Sequence, residues 1–500
     1  MSNLKSLVKD TAIYGLSSIV GRFLNYLLTP LYTIKLASAS GEYGIMTNMY
    51  AITALILVIL TFGLETTFFR FANKSGENAN RVYSSTLITV GAGALGFFLL
   101  VLLFLSPIAS FMGYAHHPSY IWVMALTVAI DSFLCIPFDY LRFKSRPIKF
   151  ASIKVFIIVL NISLNLVYYL LFPALYASHP ELMSHIYQPS VGVGYAFYIN
   201  LACSALTIPL LWKELTSVPY HFDAALMRRM LSYSWPILVL GLAGILNQTA
   251  DKILFPHIYK GDDSLMQLGI YGAASKIAMI MAMITQAFRF AYEPFVFGKS
   301  EEQDNRATYA KAMKYFIIFT LLAFLVVVGY LDVLRYLIGK DYWAGLQVVP
   351  IVMAAEMMMG VYFNLSFWYK LIDKTIWGAY FSGIGCAVLI AINVIFVPRY
   401  GYIACAWAGF TGYGVAMILS YVVGQRKYPI NYPMKSIFKY VALAVVCFAA
   451  MTLFNQMLPS AAALGVNTLF IILFVSYIVK MDFPLYQLPV IGKYFKKSTK

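Results

Sequence analysis

The sequence predicts an all-α polytopic membrane protein of about fourteen transmembrane helices, in two pseudo-symmetric six-helix lobes plus two extra C-terminal helices. Three observations carry this expectation: near-continuous hydrophobicity, a regular alternation of positive charge, and an internal repeat. Of 500 residues, 61% are hydrophobic and 12% charged, with a mean hydropathy of +0.74. Soluble domains carry about a quarter charged residues, so most water-facing surface has been given up. Apolar runs long enough to cross a hydrocarbon core of about 30 Å follow one another with short polar breaks. They fall near 11–35, 44–70, 85–114, 119–141, 150–172, 190–212, 232–257, 265–290, 313–338, 343–368, 376–397, 401–424, 436–458 and 461–480.

Lys and Arg test this division. On the side of the N-terminus the polar segments carry Lys5 and Lys9, then Lys74 and Arg81, then Arg142, Lys144, Arg146 and Lys149. Arg228 and Arg229, Arg306 and Lys311, Lys370 and Lys374, Arg426 and Lys427, and the basic tail continue the series. The opposite side has only Lys35, Lys260, Lys340 and Arg399. A wrong span count would scramble the alternation, so both termini are expected to be cytoplasmic. The net charge of +16 is then topological signal plus attraction to anionic headgroups, and calls for no nucleic acid.

The repeat has a period of about 225 residues. Pro30 answers to Pro256, Gly44-Ile45 to Gly269-Ile270, Lys74 to Lys299, Lys144 to Lys370, and Phe172-Pro173 to Val397-Pro398, always in order. Six spans separate equivalent points, so both lobes face the same way and their pseudo-twofold axis follows the membrane normal. The expected organisation is an N-terminal lobe (1–212), a cytoplasmic linker (213–231), a C-terminal lobe (232–424), two further helices (425–480) and a basic cytoplasmic tail (481–500). Tyr486, Tyr494 and Phe495 suit the tail to an inner membrane surface.

No catalytic residue, cofactor or metal site is expected. Walker, G-x-G-x-x-G and H-E-x-x-H patterns are absent, so the chain does not read as an enzyme. The longest outer loop, about 173–190, holds His179, Glu181 and His185, whose spacing is not a helical ligand pattern. All five cysteines lie singly inside apolar runs and read as small core residues.

The chemistry lies in charges at membrane depth, each of which costs several kcal/mol unless it faces a cavity or a partner. Arg22 falls near the middle of the first span and Lys276 about three turns into the eighth. Asp131 and Glu356 sit near mid-depth in the fourth and tenth. Asp251 and Lys252 precede Pro256 by about one turn, in the outer half of the seventh, where Pro256 is expected to kink the helix. Nearer the inner face, Glu65 and Arg70 end the second span and Arg289 ends the eighth. Guanidinium groups in a low-dielectric cavity grip phosphate oxygens bidentately, so Arg22, Arg70, Arg289 and Lys276 are candidate pyrophosphate ligands. The plainer alternative for each is an internal salt bridge, or snorkelling for those near a helix end.

Sequence phrases then point to a family. Tyr14-Gly15, Gly21-Arg22 and Leu28-Thr29-Pro30-Leu31-Tyr32-Thr33 come first. Glu42-Tyr43-Gly44 opens the second span and Phe62-Gly63-Leu64-Glu65 with Arg70 closes it; Pro398-Arg399-Tyr400-Gly401-Tyr402-Ile403 precedes the twelfth. With them the chain resembles the polysaccharide-transporter branch, the Wzx-type flippases, of the multidrug/oligosaccharidyl-lipid/polysaccharide (MOP) exporter superfamily. The resemblance implies an inner-membrane flippase. It would move undecaprenyl-pyrophosphate-linked oligosaccharide (for O-antigen, capsule or a similar glycan) to the outer leaflet by alternating access, driven by an ion gradient. It also implies cavity arginines on the helices of Arg22, Arg70 and Arg289, and Asp251, Glu65 or Glu356 as ion-coupling carboxylates. Its partners would be the lipid-linked oligosaccharide, membrane lipids and the polymerase or ligase machinery that receives the glycan. Three rivals stay open: a cation-coupled multidrug antiporter of the same superfamily, a peptidoglycan-precursor flippase, and a polymerase or ligase acting on the same lipid-linked sugars.

Overall fold

The computed structural model describes residues 20–298, 306–372 and 374–482 apart from 22, 25 and 75, with only the backbone of 290, 291 and 293–298. Among these residues every regular element is helical. The helices used below are α1 (Leu28–Lys35), α2 (Glu42–Thr61), α3 (Leu64–Ala72), α4 (Ala79–Leu103), α5 (Pro118–Phe143), α6 (Pro147–Leu166), α7 (Gly194–Leu210) and α8 (Ala224–Ile258). They continue with α9 (Ser264–Gly298), α10 (Arg306–Gly329), α11 (Val349–Leu365), α12 (Ile376–Tyr400), α13 (Tyr402–Lys427), α14 (Met434–Met457) and α15 (Ser460–Met481).

Twelve helical stretches among the described residues are long and apolar enough to cross a membrane, and α7 is a shorter apolar helix of 17 residues. The expected count of about fourteen differs in two places. The first span, near 11–35, falls partly outside the described residues, and the sixth corresponds to the short α7. The chain is a multi-pass membrane protein.

It divides into two compact units, one of Met1–Ala273 with Ser382–Ala408 and one of Ala274–Phe381 with Gly409–Lys500. In the first unit, α2 and α3 are one span interrupted at Phe62 and Gly63, both left-handed (φ 51° and 68°). Gly63 is required there twice over: its φ disfavours a side chain, and a Cβ would stand 2.9 Å from Ile237 Cγ2. Below the break, Leu64, Phe68, Val82, Tyr83, Ile136, Tyr140, Leu226 and Met230 form a buried core, with the Tyr83 and Tyr140 rings stacked at 4.1 Å.

Helix α8 runs along both α2 and α3. Near the inner end Thr67 Oγ1 and Ser234 Oγ are hydrogen-bonded at 2.6 Å. Asp223 caps α8 by accepting from Leu226 N–H at 2.9 Å, and this bond holds its carboxyl below the usual carboxylate range. Near the outer end, Pro256 does not interrupt α8, which extends two residues beyond it. Proline lacks an N–H, so the Lys252 carbonyl, four residues earlier, loses its intrahelical donor. Asn48 Nδ2 supplies one at 2.8 Å, while Tyr114 O–H donates to Asn48 Oδ1 at 3.0 Å.

The same unit holds an uncharged polar network. Tyr32 O–H donates to Asn165 Oδ1 at 2.7 Å, and Asn165 Nδ2 donates to the Asn161 carbonyl at 2.8 Å. Asn161 Nδ2 donates to Asn200 Oδ1 at 2.7 Å, and Asn200 Nδ2 donates to the Tyr50 hydroxyl. Four spans are joined this way in a medium with no competing water.

In the second unit, α10 is the centre. Phe316, Leu321, Leu325, Tyr440, Cys447, Met451 and Phe474 bury together, packing α14 and α15 against it. Asn467 Nδ2 donates to the Gly329 carbonyl at 2.8 Å and to Asn455 Oδ1 at 2.9 Å. Lys314 and Tyr440 both donate to the Asp482 carboxylate at the other end of α15. Helix α15 is thus bonded to α10 near both of its ends, and α14 is bonded to α15 at the same two levels.

Asn48→Leu should destabilise the protein by about 1–3 kcal/mol, because it orphans a buried hydroxyl and carbonyl. In a Pro256→Ala background the residue-256 N–H is available to that carbonyl, so the cost should shrink; thermal unfolding of the four variants in detergent measures the coupling.

Candidate functional site

The candidate site residues are distributed over both units. Arg22 lies outside the described residues. In the first unit, Arg70 sits in the last turn of α3, exposed, with its guanidinium carbon 4.0 Å from the centroid of the Tyr233 ring on α8. Helix α3 is strongly amphipathic: Leu64, Phe68 and Phe71 face the core, and Arg70 is left on the other side. A ring steadies such a cation without neutralising it, so the guanidinium keeps the charge with which arginine binds phosphate.

Glu65, one turn earlier on α3, lies within electrostatic reach of Asp139 and Cys135 on α5. Asp139 is 4% exposed. Its Oδ1 accepts from Arg142 at 3.1 Å, while Oδ2 has no hydrogen-bond partner. Lys154 stands 3.9 Å over the Phe138 ring, near both Asp139 and Asp131. Ser204 donates to Asp131 at 2.7 Å. Glu65, Asp131, Asp139, Arg142 and Lys154 therefore form one charged group. Asp139 is not among the residues expected from the sequence. Its signal was present in the spacing: Asp131, Cys135 and Asp139 recur every four residues and so share one stripe of α5.

Asp251 is in a different place. It is 6% exposed and closed in by its neighbours. Lys252 Nζ lies 2.9 Å from its Oδ2, and Tyr271 O–H donates to the same oxygen at 2.6 Å. Tyr233, the platform for Arg70, and Asp251 are eighteen residues apart on α8, about 27 Å along the helix. Arg70 and Asp251 are not brought together.

In the second unit, Arg289 on α9 is half-buried with its guanidinium carbon 4.7 Å from the Phe363 ring centroid on α11. Lys276 and Glu356 are also half-buried. Glu356 precedes Phe363 by seven residues and shares its face of α11, about 10 Å away. Lys276 and Arg289, thirteen residues apart on α9, are about 20 Å apart along the axis and on opposite faces. The close approach of α9 and α11 is set by Gly360, where a Cβ would stand 2.8 Å from Thr285 Oγ1.

Arg70 and Arg289 thus each lie over an aromatic ring of another helix. Among the described residues no three His, Cys, Asp or Glu side chains are grouped to hold a metal.

The sequence profile described as "Polysaccharide biosynthesis protein" matches residues 7–291. No curated protein matches the chain. Several solved structures are similar in fold. The lipid II flippase MurJ in an inward closed conformation is 15% identical, over 93% of this chain and 98% of its own, with a TM-score of 0.71. An inward-facing multidrug resistance MATE family transporter of the MOP superfamily is 16% identical, over 81% and 93%, with a TM-score of 0.61. The Vibrio cholerae MATE transporter VcmN in its bent form is 13% identical, over 85% and 98%, with a TM-score of 0.51. These likenesses are of fold, and they agree with the superfamily read from the sequence phrases. The matched profile covers more than half of the chain, which belongs to the polysaccharide biosynthesis protein family.

Proposed function

We propose that the chain is a flippase that carries undecaprenyl-pyrophosphate-linked oligosaccharide from the inner to the outer leaflet of a bacterial inner membrane, with both termini cytoplasmic. The observation that carries this reading is Arg70, over the Tyr233 ring at 4.0 Å and exposed, with Arg289 over the Phe363 ring at 4.7 Å. A pyrophosphate needs several fixed cationic donors, and two repeat-related helices each present one. Membership of the polysaccharide biosynthesis family supports the glycan, and the alternation of Lys and Arg supports the orientation. The lobes 1–212 and 232–424 would be the moving halves. Arg22 and Lys276 would add to the cationic surface.

Of the three candidate coupling carboxylates, Asp251 is closed in by Lys252 and Tyr271, which supports a structural part for it. Glu65 stands beside Asp139, whose second oxygen is unpartnered, and this supports Glu65 as the residue that binds the coupling ion. Glu356 on α11 is the corresponding candidate in the second unit. The released glycan would pass to a polymerase or ligase on the outer side.

Deletion of the chain should cause an undecaprenyl-pyrophosphate oligosaccharide to accumulate on the cytoplasmic leaflet, read by mass spectrometry, with loss of surface glycan. An accumulating peptidoglycan precursor, or only a new sensitivity to cationic dyes, would replace this reading by one of its rivals. Arg70→Ala should lower export roughly 10–100-fold at normal protein level, the loss expected for one charge-assisted contact of about 1.5–3 kcal/mol. Arg70→Lys should restore only part of it, because the planar fork is missing. Asp251→Asn should reduce folded yield more than export per folded molecule, and Glu65→Gln the reverse; quantifying both in the same cells separates the two roles.

A further inference from the structure

The segment between α7 and α8 is folded onto the first unit along its length. Leu211, Leu215 and Val218 are buried, the last two in the core that also holds Phe68 and Tyr83. Tyr83 O–H of α4 donates to the Glu214 carbonyl at 3.0 Å. The buried hydroxyls of Ser84 and Ser85 accept from His221 N–H at 2.6 Å and from Asp223 N–H at 3.0 Å. The Glu214 carboxylate takes Lys149 Nζ of α6 at 2.6 Å, and Arg81 closes the end with Asp223 at 3.6 Å. A segment whose backbone groups are satisfied by buried side chains is a fixed strap and not a slack tether.

The second unit builds a similar strap between α13 and α14. Arg306, the counterpart of Arg81 at the repeat period of about 225 residues, donates to the Pro429 carbonyl at 3.2 Å and lies 4.4 Å from the Tyr428 ring centroid. Ile430 is buried beneath it. The two straps differ in what they show outside. Tyr428 and Tyr432 of the second are half-buried, whereas Trp212, Tyr220 and Phe222 of the first are 61%, 57% and 48% exposed. Cations accompany these rings: Lys213 is exposed, and Arg146, 4.0 Å from Glu214, keeps 62% of its side chain exposed. The Tyr220 O–H donates to the Leu215 carbonyl at 2.8 Å, which fixes that ring outside the core. Large rings that a fixed strap cannot fold away form a surface built for contact.

We infer that this strap is a foot of the first unit on the inner leaflet, with Trp212, Tyr220, Phe222, Lys213 and Arg146 seated among anionic phospholipid headgroups. Both ends of the strap join apolar helices, α7 at Leu210 and α8 at Ala224, so its rings stand where the spans leave the hydrocarbon. Aromatic rings settle at that level, and cations there attract anionic lipid. The buried Leu215 and Val218 hold the opposite face to α4, so the foot moves only with the first unit. The inference takes the side of the membrane from the charge alternation and nothing from the transported lipid.

The full chain in nanodiscs, with a fluorophore at Phe222→Cys or Trp212→Cys, tests the foot. Phospholipid brominated near the headgroup end of its chains should quench either label, and aqueous iodide should quench it weakly. At equal bromine content, phosphatidylglycerol should occupy the site roughly fivefold more than phosphatidylcholine, the enrichment given by one cation. Lys213→Glu should remove that preference and leave the depth of the label unchanged. Val218→Cys should resist maleimide while the neighbouring, exposed Ser217→Cys reacts, which reads the strap itself without a label on the foot. Quenching by iodide and not by brominated lipid would overturn the foot and turn the same rings towards a soluble protein partner. Equal quenching by the two lipids would overturn the choice of anionic headgroups, and free reaction of Val218→Cys would overturn the fixed strap.

Discussion

Hydrocarbon offers no hydrogen bonds, so every polar group that enters the membrane must bring its partner with it. Helix α8 shows the constraint at work. Pro256 removes one backbone donor, and the deficit at Lys252 is met by a side chain from α2 rather than by water. That bond joins the second span to the seventh, and Tyr114 completes it. The seam continues inward through Gly63 against Ile237 and Thr67 against Ser234. Helix α2 is thus fastened to α8 at the point where α8 lacks a donor.

The fold was largely legible in the sequence because its main determinants are one-dimensional. Span length is a property of order along the chain, and the resemblance to the superfamily is carried by short sequence phrases, so neither needs a contact. The candidate site was less legible. Hydropathy places a charge at a depth, but its neighbours depend on the rotation of other helices. Asp251 illustrates this: its neighbour Lys252 is adjacent in sequence, yet Tyr271, twenty residues on, completes the closure. Asp139 is masked in the sequence by the nearby Arg142, although its spacing from Asp131 carried the signal. The difference between about fourteen expected spans and the twelve long helices has a local origin in the short α7 and in the first span.

Aromatic rings lie under several of the intramembrane cations, two of the candidate ligands among them. Arg70, Arg289 and Lys154 each sit over a ring, at 4.0, 4.7 and 3.9 Å. Arg142 and Lys252 combine a ring, at 5.0 and 5.2 Å, with a carboxylate partner, and Lys149 pairs with Glu214. The two modes have different consequences. A carboxylate neutralises the cation and competes with an anionic ligand, whereas a ring steadies the cation and leaves its charge intact. The high aromatic content, 16% of the chain, has in these places a part beyond packing.

The chain of Tyr32, Asn165, Asn161, Asn200 and Tyr50 contains amides and phenols but no formal charge. Groups of this kind change neither protonation across physiological pH nor energy when the voltage across the membrane changes. The first, second, fifth and sixth spans are therefore fastened to one another by bonds that a proton-motive force leaves untouched. On the proposed ion coupling at Glu65, an energised membrane would act on the carboxylates beside it while this part of the first unit keeps one internal geometry, like a rigid arm in an applied field.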